Sequence, residues 1–423
     1  MKLKKKTTYL LCLSMVLSSC VTPVGESSNI GPQLSSSFDQ PSNTQSSAIQ
    51  IGAKLDVMIP VFDPGIPENP DDYEKLGIWP ELRRAEATKF ALMMKAALQS
   101  TGAFGAVRVT PDKNSTGNLY VLGKIEESNG EDVEINIKVV DISGKTWLES
   151  SFDHRVSEQF HNSLRNKGKN PYDPVIDEAA KYIVENLNGR TAKELSTLKS
   201  ITQMRFATSF SESEFSKYLG KNEGLFGSEE FFGFGGSHIT LVGMPADDDP
   251  NFAKIKALRV RDQLFIDNLQ THYQKFESKM NESYAVWQEQ SLKEAKAARE
   301  TESEAAGEAV LGILVLGLGV LALAASSNNR GSYNPAPVVA GVGAAAVGGA
   351  LLAKSFRTSK EAEVYRDALS ELGQSVDLEL APQVIEFEKK TVELTGNAAE
   401  QFMQWRRFLK KVYAAQTTPD VRL

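Results

Sequence analysis

The 423-residue chain has little of what metal or disulfide chemistry requires, because it contains only two cysteines and four histidines. This count excludes a disulfide framework and a cysteine-rich zinc module. A basic excess is also lacking, since 54 aspartates and glutamates outnumber 47 lysines and arginines, which argues against a nucleic-acid partner. No spacing brings Ser, His and Asp together for catalysis. The sequence therefore predicts a protein that is not an enzyme and holds no metal or cofactor.

The N-terminus has the pattern of a secretory signal over residues 1–19, with a lysine-rich start and a short apolar run. Leu17-Ser18-Ser19-Cys20 resembles the bacterial lipobox, which implies that Cys20 receives lipid, including palmitate, and becomes the mature N-terminus. An ordinary signal with a chance cysteine is the alternative. The residue after Cys20 is Val21, and by resemblance to enterobacterial sorting it favours the outer membrane over the inner membrane.

Residues 20–50 are predicted to be the lipidated cysteine followed by a disordered tether, because this stretch is rich in serine and poor in apolar residues. A first folded domain is expected over residues 51–190. Its pattern is a strand, a helix that begins at Pro80, four further strands and a second helix over 172–187. Asp141-Ile142-Ser143-Gly144 has the composition of a hairpin turn. The expected fold class is α+β, with an N-terminal sandwich-like sheet and helices.

The segments VMIPVF, TGAFGAVRV, LYVLGKI and VEINIKVVDISGKTW, with Gly123, Asp141 and Gly144 among them, carry a family resemblance. They resemble the periplasmic lipoprotein domains of the CsgG, LpoB and TolB N-terminal type. The resemblance implies a domain that binds protein partners in the envelope and implies no catalysis. It covers only the first domain, and the chain has no pair of amphipathic hairpins that could build a CsgG-like barrel, so export of a substrate is not implied.

Residues 191–305 are predicted to be mainly helical. Asp249 followed by Pro250 fits a helix N-cap and first position, and apolar residues then recur at three-, four- and seven-residue steps through Trp287. Such a stripe is either the core of a helical bundle of this chain or a seam for a partner.

Residues 306–354 contain two uncharged runs, 309–325 and 336–353, that predict an apolar helical hairpin. The second run carries Gly341, Ala345 and Gly349 at four-residue spacing with Gly348 beside them, a pattern that lets helices pack closely in lipid. We interpret the hairpin as a transmembrane element that self-associates. A hairpin buried in a soluble bundle and an unstructured segment are the alternatives.

Residues 355–423 are predicted to form a helix, a β-hairpin and an amphipathic helix. The last helix combines an apolar face with a basic face formed by Arg406, Arg407, Lys410 and Lys411. This face is either simply solvated or in contact with an anionic membrane.

Together these patterns predict a non-catalytic lipoprotein of the cell envelope, anchored on the periplasmic side through Cys20. It would contact the bilayer through residues 309–353 as well, bind envelope proteins through residues 51–190 and form a homo-oligomer through the Gly/Ala-rich hairpin. The alternative is an oligomeric export or pore component of the outer membrane.

Overall fold

A five-stranded mixed sheet forms the N-terminal part of this computed structural model, which describes residues 54–223, 237–307, 362–374, 378, 380–387 and 390–417. The strand order is β2-β1-β3-β4-β5; β1 runs parallel to β2 and β3, and the other neighbours are antiparallel. The five strands are β1 (Val57–Pro60), β2 (Val107–Thr110), β3 (Leu119–Ser128), β4 (Asp132–Asp141) and β5 (Thr146–Arg155).

Helices account for most of the remaining described residues, together with two small hairpins. The hairpins pair β6 (Leu219–Glu223) with β7 (Ser237–Leu241) and β8 (Gln383–Phe387) with β9 (Lys390–Leu394). The helices are α1 (Asp71–Lys75), α2 (Pro80–Ser100), α3 (Asp173–Asn188), α4 (Ala192–Phe210), α5 (Glu212–Phe215), α6 (Pro250–Gly307), α7 (Glu363–Leu372) and α8 (Ala398–Thr417). The mixed α/β class, the helical middle and the C-terminal β-hairpin followed by a helix are confirmed.

Strand β1 is buried on both faces, although the alternation of Leu55, Val57, Ile59 and Val61 predicts a single apolar face. Val57 and Ile59 point to one side and Met58 to the other, and all three are inaccessible to solvent. A central strand in parallel pairing is normally covered from both sides. On the second face, Met58 packs against Gly117, where an added Cβ would lie 2.4 Å from Met58 Cγ.

The β4–β5 turn follows the local chemistry of its sequence. Asp141 Oδ1 accepts hydrogen bonds from the Ser143 amide at 2.8 Å and from the Ser143 hydroxyl, while Oδ2 accepts from Trp147 Nε1 at 2.7 Å. Gly144 takes a φ of 90°, a conformation that disfavours side chains. The turn therefore depends on contacts within seven residues of the chain.

Helix α6 is 58 residues long. It runs antiparallel to α2, because Glu86, Lys89 and Lys95 of α2 bond to Tyr284, Asn281 and Gln270 of α6 in reverse order. Asp249 caps it by accepting the amide hydrogens of Asn251 and Phe252, both at 2.9 Å, as the sequence predicts. The apolar stripe is buried within this chain, in one continuous core with the sheet residues, and α6 packs against α2, β2, α4, α7 and α8.

Helix α8 is held to α6 through Arg406. The guanidinium lies 3.0 Å from the carboxylate of Asp262, donates to Thr116 Oγ1 at 2.8 Å and lies over the rings of Phe206 and Phe402. Burial raises the pKa of Asp262, and the charge of Arg406 opposes this shift. The predicted solvent-facing basic side is therefore wrong for Arg406, which turns inward because a buried carboxylate lies opposite it.

The transmembrane-helix prediction is corrected by the structure. Across the described ranges, no helix is both long and apolar enough to cross a bilayer. The prediction concerned residues 309–353, which lie outside the described residues together with Cys20, Gly341, Ala345, Gly348 and Gly349.

Candidate functional site

An open cleft of about 950 Å³ lies between α2, the start of α3, the loop of residues 160–170 and the middle of α6. Its volume is within the range of ligand-binding clefts. The walls combine apolar side chains of α2, such as Met93 and Ala97, with charged and amide side chains of α6 and the loop. Clefts of this kind, apolar with a few polar groups at fixed positions, are the default places to look for a binding site.

Lys89 of α2 is the buried cation of the cleft, with only 3 % of its surface exposed. Its Nζ donates to Asn281 Oδ1 of α6 at 2.7 Å and lies 5.2 Å from the centre of the Tyr284 ring. An ammonium group has three donors, and Asn281 is the acceptor that the described residues supply. Burial lowers the pKa of Lys89, while Glu277 and Asp173 oppose the shift.

Beneath Lys89, the carboxyl of Glu86 is fully buried in a network of hydroxyl groups. Glu86 Oε1 accepts from Ser128 Oγ at 2.6 Å and from the Tyr284 hydroxyl at 2.8 Å. The nearest guanidinium atom, Arg83 Nε, is 3.7 Å from Oε2. Burial raises the pKa of Glu86, while the charge of Arg83 and the hydrogen bonds from Ser128 and Tyr284 oppose the shift.

The β3–β4 turn joins the same network through Tyr172, whose hydroxyl accepts from the Gly130 amide at 2.8 Å. Gly130 has a φ of 94°, and a side chain there would approach the Cβ of Ser291 on α6 to 2.4 Å. Helix α6 therefore packs directly on the backbone of this turn. The cleft is consequently part of the same packed body as the sheet.

His161 and Asp173 add two more titratable groups with shifted pKa values to the cleft. Burial lowers the pKa of the His161 imidazole and raises that of the Asp173 carboxyl. Nε2 of His161 is buried and makes no hydrogen bond within the described part of the chain. Groups with such shifts concentrate at functional sites.

An exposed leucine stands at the rim. Leu164, in a short 3₁₀ turn of the loop, is 90 % exposed and lines the cleft. This large exposed apolar side chain and the half-buried ring of Phe160, which also lines the cleft, give the rim an apolar surface.

The predicted site residues, Cys20 and the glycines and alanine of the second apolar run, lie outside the described residues. Among the residues that are described, no group of three or more His, Cys, Asp or Glu side chains could hold a metal ion.

Sequence reasoning missed Lys89, His161 and Asp173 because each is an ordinary polar residue of a helix or loop. Tyr284 was assigned to the apolar stripe, and its ring is buried as that pattern predicts. One signal was available: a tyrosine within an apolar stripe needs a hydrogen-bond partner for its hydroxyl. The partner, Glu86, is 198 residues away in sequence.

Comparison with known proteins identifies no relative whose function bears on this cleft. No protein-family model matches the chain, and no curated protein matches it. Among solved structures, a variant PelC dodecamer from Paraburkholderia phytofirmans matches 35 % of this chain and 96 % of the PelC chain at 14 % identity. The TM-score of 0.21 is too low to carry any inference about this chain.

Proposed function

We propose that this chain is a non-catalytic lipoprotein of the bacterial cell envelope whose folded part binds another envelope protein in the cleft beside Lys89. The lipid would be attached to Cys20, on the periplasmic side and favouring the outer membrane. Self-association through Gly341, Ala345 and Gly349 stays a prediction from the sequence.

The observation that carries the proposal is a buried lysine at the floor of an open cleft. Lys89 keeps N–H donors for which the described residues offer no acceptor besides Asn281. A buried cation with unused donors is stabilised when a ligand brings an oxygen acceptor to it. Peptide carbonyls and the carboxylates of Asp, Glu or a chain terminus are such acceptors.

The rim favours a protein over a small polar molecule. Leu164 stands almost wholly in water, and the α2 wall contributes Met93 and Ala97. A protein partner would bury these apolar surfaces around a central polar contact, which is the usual arrangement of a protein interface.

Site-specific photo-crosslinking in the native envelope tests the partner proposal. A photoreactive residue in place of Leu164 should give one adduct of defined mass. The same residue in place of Val364, which is 76 % exposed on α7, is the matched control and should give none. Lys89→Met keeps most of the buried stem and should reduce the Leu164 adduct at least fivefold, with the melting temperature checked in parallel. Equal adducts at both positions, or an adduct unaffected by Lys89→Met, would refute the proposal.

The lipid anchor is tested separately. Cys20→Ala should abolish palmitate labelling and leave a soluble or signal-retaining precursor. Cys12→Ala is the control, because Cys12 lies within the predicted signal and should be dispensable for labelling. Normal labelling of Cys20→Ala would rule out the lipobox interpretation without bearing on the cleft.

A further inference from the structure

The two edge strands of the five-stranded sheet, β2 and β5, differ in whether their outward backbone groups are hydrogen-bonded. At the β2 edge, the side-chain amide of Gln270 on α6 hydrogen-bonds to the backbone of Val109. Nε2 donates to the Val109 carbonyl at 2.8 Å, and Oε1 accepts from the Val109 amide at 3.0 Å. A strand cannot add where a side-chain amide already pairs with the backbone. The β2 edge is therefore closed at Val109.

At the opposite edge, β5 has a neighbouring strand only on its β4 side in the described part of the chain. The Val156 amide donates inward to the Glu131 carbonyl at 2.8 Å, and in an antiparallel strand the backbone direction alternates along the chain. The N–H and C=O groups of Glu149, Ser151 and Asp153 therefore point outward. Among them, the Ser151 carbonyl receives a long contact of 3.4 Å from the hydroxyl of Ser150.

The side chains beside this edge form an acidic row. Glu127, Glu134 and Asp153 lie directly opposite one another across β3, β4 and β5. Like charges in this arrangement destabilise a sheet. Within the described residues, the carboxylates of Glu134 and Asp153 form no ion pair, and burial with acidic neighbours raises the pKa of Glu127.

Cross-strand ion pairs on the same face lie next to the acidic row on one side and two rows away on the other, beyond Asn136 and Ser151, so the acidic row is a local feature of the sheet. Arg155 pairs with Asp132 at 2.6 Å, and Lys138 pairs with Glu149 at 2.9 Å. Among the described residues, Glu134 and Asp153 thus reach the open edge without an ion pair, while Arg83 and Arg155 act on Glu127 at the other end of the row.

We propose that the outer edge of β5 binds an extended strand of a partner protein, and that this strand places a lysine or arginine opposite Asp153. The backbone of β5 would supply the hydrogen bonds, as in other cases of strand addition. A basic side chain on the added strand would be the cross-strand neighbour of Asp153 and would extend the row formed by Glu127 and Glu134. This edge is separate from the Lys89 cleft, so the inference goes beyond the proposed function.

The acidic side chains also disfavour pairing with a second copy of this chain in the register that places the two outward Ser151 residues opposite each other. In antiparallel pairing of two copies centred on Ser151, Glu149 of one copy would face Asp153 of the other. Charges on an edge strand protect it against pairing with itself.

The test uses the full chain in detergent and a fluorescent peptide of sequence TVTVKVTVT. The comparison probes are TVTVEVTVT and a version of the lysine peptide that is N-methylated at alternate residues, which removes the hydrogen bonds needed for strand pairing. The lysine peptide should bind at least tenfold more tightly than either. Amide exchange should then slow at Glu149, Ser151 and Asp153.

Ser151→Pro is the decisive variant, because it removes an outward N–H and proline is tolerated on the outer side of an edge strand. It should weaken binding of the lysine peptide at least tenfold without unfolding the protein. Asp153→Lys, which keeps the backbone, should reverse the preference between the lysine and glutamate peptides. Ser150→Pro is the positional control, since it removes an inward N–H and should disrupt the β4–β5 ladder.

Equal binding of all three peptides, or full binding by Ser151→Pro, would overturn the proposal. A dimer by light scattering that Ser151→Pro converts to a monomer would overturn it in favour of a second copy. Lys89→Met should leave peptide binding unchanged, so failure at this edge and failure at the cleft are separate results.

Discussion

Glu86 and Asp262 are both buried carboxyl groups on or against α6, and the chain stabilises them in different ways. Glu86 accepts hydrogen bonds from the hydroxyls of Ser128 and Tyr284, whereas Asp262 lies 3.0 Å from the guanidinium of Arg406. Burial raises the pKa of both groups. The opposition to this shift differs: at Glu86 it comes from the Arg83 charge and two hydroxyl donors, and at Asp262 it comes mainly from the charge that Arg406 of the C-terminal helix supplies.

The largest effect is expected from breaking the ion pair. Arg406→Ala removes the ion-pair partner of Asp262, which is 1 % exposed, and should lower the free energy of unfolding by about 3–5 kcal/mol in urea titration. Arg407→Ala, at the exposed neighbouring position, should change it by less than about 0.5 kcal/mol. Similar losses in the two variants would show that the ion pair does not hold α8 in place.

The next largest loss of stability is expected at Gly130, in the β3–β4 turn that contacts Tyr172. Gly130→Ala places a Cβ against Ser291 at a φ of 94°, whereas Gly168→Ala, at a φ of 80°, meets no atom within 4 Å. Both variants should lose about 1 kcal/mol from backbone strain. Gly130→Ala should lose about 1–3 kcal/mol more because α6 must shift. Equal melting temperatures would contradict the close packing of α6 on the turn.

A pH series of the unfolding free energy tests whether folding raises the pKa of Glu86. The folded state binds a proton at Glu86 more tightly than the unfolded state, so this contribution is complete below the ordinary pKa of 4.5 and is lost as pH rises through the raised pKa. Relative to Glu86→Gln, the wild-type chain should therefore lose up to about 1.4 kcal/mol of unfolding free energy per pH unit in that window.

Glu178→Gln, at an exposed position of α3, is the control for this series and should follow the wild-type profile. Parallel profiles for the wild type and Glu86→Gln would mean that folding does not raise the pKa of Glu86.

The smallest effect is expected from a single hydroxyl. Tyr284→Phe removes the 2.8 Å hydrogen bond to Glu86 and keeps the ring, so it should cost about 1 kcal/mol of unfolding free energy. Tyr182→Phe, with 41 % of the side chain exposed, should be near neutral. A neutral Tyr284→Phe would imply that Ser128 alone stabilises the carboxyl.

Much of the fold could be predicted from the sequence because its signals are local. The start of α6 follows from Asp249 and Pro250, and the β4–β5 hairpin follows from Asp141 and Gly144, all of which act within a few residues. The second buried face of β1 could not be predicted, because Met58 is apolar in either environment and only the helices that cover the sheet decide the matter.

The candidate cleft was not predicted for the same reason. Lys89, His161 and Asn281 are common on solvated helices and loops, and nothing within a few residues of any of them marks it as part of a site. Lys89 differs from exposed lysines only because α6 and the 160–170 loop cover it.

By itself the sequence determined the element types, the caps and turns and the apolar stripe of α6, since periodicity and capping depend on neighbours along the chain. Only the tertiary structure decided which polar groups meet. Glu86 finds Ser128 across 42 residues and Tyr284 across 198, and Arg406 turns inward because Asp262 is buried opposite it. The free energy of a buried polar group depends on the partner it reaches, and packing between distant segments determines that partner.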